Sequence, residues 1–438
     1  MGGTMAKISK LSGVAGLACF LGGGALAQDL LTPPEITDAL QFAEPRLQNG
    51  AVNAVFQKAI DEKQIPGAVS VAFDGEMLVH ASALGDRDLA TQSPAELDTI
   101  FRAYSMTKPV TAVAMMILHE EGAWSPDDPV TKFIPELEGL EVVERIGADG
   151  TPVLTDAARP PTIEELLTHT AGFSYGFADT YVDRRYQEAD LFDAAGADDF
   201  VSRLASLPLA YQPGTEWRYS VAMDVQGVLI ERMSGMSLGD FMQARIFGPL
   251  GMEDTGFSVP EGKRDRLATL YAYEDGLVPA QGGTFGSDVF EEPGFASGGA
   301  GLLTTAIDYS RFARMLLSDG ALDGVRILAP QSVGAIMQNH LPPEILEGGF
   351  GIGIHRIGPG YGFGYNGVVV TDPEEAGVPL GEGSYLWDGA AATFFWVDPE
   401  NDVVFVAMLQ RFLTDDFPPL QREAQAMVQR FFGGGEED

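Results

Sequence analysis

Apolar side chains recur along this chain with two periods, one of helices and one of strands. Residues 51–63 carry helical spacing, and 68–73 and 76–84 read as strands. Asp74-Gly75 between those runs is a tight-hairpin signal, because such turns need backbone in the left-handed region. A β-rich run over 99–104 leads into a long helix through 121, with Val110, Val113, Ala114, Ile117 and Leu118 on one face. From 126 to about 283 the pattern is helical with many loops. There Thr162 is placed to cap a short helix with Glu164 and Glu165 in its first turn, and 198–204 and 221–233 are further helices. Thr304 or Thr305 caps a helix over 306–317, with Asp308 completing a capping-box pattern. The chain then returns to strands over 350–357, 362–365, 391–397 and 403–409, and closes on a helix over 420–432.

Two early strands and several late ones thus flank a long helical middle. Sequence-distant strands are expected to share one sheet. The reading is an α/β (α+β) fold: an antiparallel sheet flanked by helices, formed by residues 28–438 as one unit, with the helical region of about 126–283 inserted between the two parts of the sheet. A chain of 438 residues, 45% hydrophobic and 21% charged, can bury a large core.

The first 27 residues read as a signal peptide. Lys7 and Lys10 precede an apolar run, and Ala25-Leu26-Ala27 before Gln28 has the small-x-small form of a cleavage site. The run is too short to span a bilayer, so an exported protein, periplasmic or secreted, with no stable membrane anchor is expected. Cys19, the one cysteine, lies inside this leader, which leaves the mature chain without a thiol nucleophile, a disulfide or a thiolate metal site. A net charge of −36 argues against nucleic acid and anionic membranes as partners. The histidines, His80, His119, His169, His340 and His355, lack metal-ligand spacing, and no phosphate loop occurs, so no cofactor is expected. Nothing in the pattern speaks to oligomeric state.

Ser105-Met106-Thr107-Lys108 carries the chemistry. Ser105 is the one serine in the chain with lysine three places later. Three residues make nearly one helical turn, so the two side chains share a face. Pro109 is tolerated only in the first turn of a helix, which puts Ser105 at or near the helix start, where the helix dipole favours negative charge on its oxygen. A desolvated lysine there can take the hydroxyl proton. Two Gly-x-Ser-x-Gly stretches, around Ser174 and Ser237, compete for the role. Each follows a helical segment rather than the strand such an elbow requires, so both read as structural. Tyr175, Phe177, Tyr181 and Phe285 lie on loops that could form an apolar acyl pocket.

With Phe101 to Pro109, Leu166-Leu167-Thr168-His169-Thr170-Ala171-Gly172, Pro213-Gly214-Thr215-Glu216-Trp217-Arg218-Tyr219-Ser220, Ser297-Gly298-Gly299-Ala300-Gly301-Leu302 and Trp387-Asp388-Gly389-Ala390 in this order, the chain resembles the β-lactamase-related serine hydrolases, and most the family VIII carboxylesterases, which are similar to class C β-lactamases. The resemblance implies Ser105, Lys108 and Tyr219 as catalytic residues. It implies backbone N–H groups of Ser105 and Ala390 as the oxyanion hole, and Trp387 and Gly389 beside the substrate. His169 is taken as structural. Val221 stands where β-lactamases carry an asparagine, and Trp387-Asp388-Gly389 where they carry Lys-Thr-Gly. The expected activity is hydrolysis of a small-molecule short-chain ester through an acyl-enzyme. The alternatives are a β-lactamase or D-alanyl-D-alanine carboxypeptidase, and a non-catalytic peptidoglycan- or peptide-binding relative.

Overall fold

The computed structural model describes residues 49–280, 289–348, 350–352 and 355–432. The expected leader, the linker that follows it and Phe285 lie outside them. Eight strands form the main sheet: β1 (Gly67–Asp74), β2 (Met77–Asp88), β3 (Ser93–Pro94), β4 (Tyr361–Phe363), β5 (Val368–Val370), β6 (Tyr385–Asp388), β7 (Phe394–Asp398) and β8 (Val403–Met408). Their order is β4-β5-β6-β7-β8-β1-β2-β3, and all pair antiparallel. The first strand therefore lies beside the last, from Val69 opposite Met408 to Asp74 opposite Val403. The expected Asp74-Gly75 hairpin forms, with Gly75 at φ 56°.

Side chains alternate across the sheet, and both faces are covered. Val69, Val71, Val404 and Val406 point to one face, under α4 (Ala306–Leu317) and the larger core that also holds α2 (Thr107–Glu120) and α3 (Ala222–Ser234). Ala68, Ala72, Val403 and Phe405 point to the other, against α1 (Asn49–Asp61) and α5 (Leu420–Phe432). Central strands buried on both faces read in sequence as continuous apolar runs, which is why β1 and β8 were legible. Trp124 and Trp396 are core residues.

Several elements depart from the expected pattern. Residues 141–156, read as part of a helical region, form the hairpin Glu141–Ile146 and Pro152–Asp156, turning at Gly150 with φ 82°. Its side chains are mostly exposed, Ile146 and Leu154 among them, so no buried apolar period marks it, although Asp149-Gly150 is a turn signal. Residues 350–357 hold two short paired strands, Phe350–Ile352 and His355–Ile357, instead of one. β5 and the helix Tyr181–Ala189 were not expected. Thr305 caps α4 by accepting from Asp308 N, but the Asp308 carboxylate turns away to accept from Asp254 N at 2.7 Å and Thr255 Oγ1 at 3.0 Å. The full capping box forms instead between Thr162 and Glu165.

Candidate active site

The chain passes from the short strand Phe101–Arg102 into a 3₁₀ turn, Tyr104–Met106, and then into α2. Tyr104 has φ 46°, a left-handed conformation that a bulky residue adopts only where its surroundings impose it. This sharp bend carries Ser105 to the wall of a cavity of about 1020 Å³. The turn is pinned from behind, where Tyr309 OH donates to Met106 O at 2.8 Å and Leu302 N to Thr107 Oγ1 at 3.1 Å. Pro109 is the third residue of α2, within its first turn as expected.

Ser105, Lys108 and Tyr219 meet here. Lys108 Nζ donates to Ser105 Oγ at 3.2 Å and to Gly299 O at 2.7 Å. Tyr219 OH donates to Ser105 Oγ at 2.6 Å. Lys108 is 1% exposed, and its ammonium faces the rings of Tyr219 and Tyr175 at 4.5 and 5.2 Å. Burial drives its amine down to about 7, against the negative charges of Asp224 and Asp388, which hold it up. Burial lifts the Tyr219 phenol far above its usual range, outweighing the opposing hydrogen bond to Ser105. At neutral pH the phenol is therefore a hydrogen-bond donor, while Lys108 gives up its proton far more readily than an exposed lysine does. A buried neutral amine within reach of a serine hydroxyl can accept its proton.

A family model described as Beta-lactamase matches residues 52–429. The chain belongs to the β-lactamase family. It is similar to esterase EstB of Burkholderia gladioli, 34% identical over 368 residues that cover 79% of this chain and 86% of EstB. It is also similar to a lovastatin esterase of Penicillium rubens, 32% identical over 386 residues, 83% of this chain and 94% of that protein. Among solved structures, EstCE1, described as a hydrolase with promiscuous acyltransferase activity, matches with a TM-score of 0.72 at 26% identity, over 87% of this chain and 98% of its own. The β-lactamase-like fold expected from the motifs is thus the fold of the chain, and the protein is a serine hydrolase of this family.

The third motif of this β-lactamase-family chain closes the cavity from the end of β6. Trp387 is buried against Tyr219 and Phe363, with ring centres 5.8 and 5.7 Å apart. Gly389 is buried where the strand crosses the nucleophile turn. A Cβ there would collide with Ala103 O and Thr393 Oγ1, so no larger residue lets the strand come this close. Ala390 and Ser105, the expected oxyanion donors, both line the cavity, as do Trp387 and Asp388. Tyr175 and Phe177 also line it, whereas Tyr181 packs partly buried against the core instead.

The competing serines have other work. Ser174 is buried and donates to Asp183 at 2.6 Å, and Arg218 grips the same carboxylate with bonds of 2.8 and 2.6 Å. That network holds the segment leading to Tyr219. Ser237 caps a helix, accepting from Asp240 N at 3.1 Å. His169 is fully buried at φ 60°, its ring 4.9 Å from that of Tyr219 and its Nδ1 3.2 Å from Ser220 Oγ, a packing role consistent with expectation.

Asp224 escaped the sequence reading. It is fully buried in α3 and accepts from Ser297 Oγ at 2.5 Å, Gly299 N at 3.1 Å and Tyr175 OH at 3.3 Å. The carboxylate thereby holds the Ser297–Gly301 loop, whose Gly299 carbonyl receives Lys108. A Cβ on Gly299 would strike Tyr175 OH and lie 2.9 Å from Asp224 Oδ2, and one on Gly298 would strike Met223 O, which explains the glycines of that motif. An aspartate inside the apolar run 221–230 was a readable signal, since a buried charge must be paired.

Proposed function

We propose that this protein hydrolyses short-chain carboxylic esters, uncharged ones included, through an acyl-enzyme on Ser105. The observation that carries the reading is the Ser105 hydroxyl held between a buried amine lowered to about 7 and a phenol that remains protonated. In the proposed cycle neutral Lys108 takes the Ser105 proton as Oγ attacks the ester carbonyl. Tyr219 donates its proton to the leaving alkoxide and takes back the one held by Lys108, so that the amine is neutral again when it accepts a proton from the water that releases the acyl group and Ser105 recovers its own. Backbone N–H groups of Ser105 and Ala390 would receive the oxyanion, and loss of one such donor costs ~10²–10³ in rate in comparable sites.

Substrate choice follows from what the cavity lacks and holds. Val221 offers no amide to a β-lactam or peptide side chain, and Asp388 places a carboxylate where a β-lactamase would present a lysine to a substrate carboxylate. The intact Ser105–Lys108–Tyr219 cluster speaks against a purely binding role. The named esterase relatives support ester hydrolysis, and EstCE1 raises transfer of the acyl group to an alcohol as a side reaction of the same intermediate.

The deciding experiment is kcat/KM on a series of p-nitrophenyl esters beside nitrocefin. The butyrate should be turned over clearly and the cephalosporin weakly or not at all. Ser105→Ala should abolish turnover in a folded protein, while Ser174→Ala and Ser237→Ala keep most of it. A higher kcat/KM for nitrocefin than for p-nitrophenyl butyrate overturns the esterase reading.

A further inference from the structure

Among the described residues, the charged side chains on the cavity wall apart from Lys108 are Glu375, Asp388, Asp415 and Arg422. Glu375, Asp415 and Arg422 are exposed at its rim, where water and salt screen them. Arg422 acts on Tyr361, at the end of the cavity formed by β4. Asp388 differs from all three. It is half-buried at the end of β6, next to Trp387, and of the two carboxylates whose fields reach both Lys108 and Tyr219, Asp224 and Asp388, it is the one that lines the cavity. Asp388 and Ser105 line one cavity, so a substrate bonded to Ser105 lies within the field of that charge. The partial desolvation of this position strengthens that field relative to bulk water.

The walls suit a cation as well. Tyr104 and Phe412 also line this space, and aromatic rings attract ammonium groups. The chain as a whole carries −36, which raises the local concentration of cations and lowers that of anions.

We propose that the site selects esters bearing a positive charge, an ammonium or quaternary ammonium group close to the ester bond, with Asp388 as the specificity-determining residue. The inference rests on the esterase reading and extends it from tolerance of uncharged esters to preference for cationic ones.

An isosteric pair tests this: butyrylthiocholine against the uncharged 3,3-dimethylbutyl thiobutyrate, assayed by thiol release at low salt. The pH is set to about 8.5, above the Lys108 value, so that the base is neutral for both substrates. The wild type should favour the cationic ester by about tenfold in kcat/KM, a ratio that shrinks as salt is added. Asp388→Asn, nearly isosteric, should bring the ratio close to one, Asp388→Lys should invert it, and Asp415→Asn should retain it. The ratio is internal to each variant, so a general loss of activity does not imitate the effect. A wild-type ratio at or below one, with Ser105-dependent turnover of the neutral ester, overturns the inference and leaves the esterase reading standing. A preference that survives in Asp388→Asn, or disappears in Asp415→Asn alone, removes the role from Asp388. If neither ester is turned over, both readings fall.

Discussion

Two proton carriers contact Ser105, and burial drives them in opposite directions. It penalises the charged form of each group, so the lysine loses its proton more easily and the tyrosine less easily. In the proposed cycle Lys108, not a Tyr219 phenolate, is then the base. The acid limb of kcat/KM should rise with pH and have its midpoint near 7, because only neutral Lys108 can accept the proton. Asp224 supports the protonated amine, so Asp224→Asn should move that midpoint to lower pH as well as lowering the maximal rate through a loosened Gly299 loop. A pH–rate profile of the two proteins checks both. An acid limb unchanged in Asp224→Asn would mean that the carboxylate acts on the loop alone. The Ser-x-x-Lys spacing was visible in one dimension because one helical turn joins its members. Asp224 was not identified there, since its partners Ser297 and Gly299 lie more than a helix away along the chain.

Elements set the distances within the site. β6 ends beside the nucleophile turn because Gly389 has no side chain to hold the strand off Ala103. Gly389→Ala should force the strand outward, costing about 1–3 kcal/mol as overpacking does, and activity should fall further than stability. Urea unfolding and kcat on p-nitrophenyl butyrate measure the two effects. Gly334 provides the contrast. It lies exposed in the helix Pro330–Ile336, nothing would stand within 4 Å of its Cβ, and Gly334→Ala should stabilise by about 0.5–1 kcal/mol with unchanged kcat. Elements were legible where a single environment covered them end to end, as with α2, α4, α5 and the buried strands β1 and β8. The hairpin at 141–156 and the short strand β5 were not. The first is too exposed to show a period, and β5 is three residues whose pairing depends on neighbours on both sides.

For the whole molecule, a net charge of −36 makes the compact state repel itself. Added NaCl should therefore raise Tm progressively through the range where screening shortens the Debye length from roughly 30 to 10 Å, about 0.01 to 0.1 M. Thermal unfolding followed by circular dichroism is the measurement, and a Tm that falls over this range would show that attractive ion pairs outweigh the repulsion. At this scale the division between chain and fold is clear. By itself the sequence determined what depends on neighbours within a few positions: the Ser105–Lys108 pair on one helical turn, the first-turn place of Pro109, the Thr162 cap, the Asp74-Gly75 hairpin, and the apolar runs that become the sheet. The tertiary structure alone decided that Tyr219, 114 positions from Ser105, donates to it, that Gly299 receives Lys108, and that Asp388 enters the same cavity. It also decided that Lys108 is sealed from water. Local spacing fixes which side chains share a face, but desolvation belongs to the assembled core, and it is desolvation that lets this lysine lose its proton far below the usual lysine range.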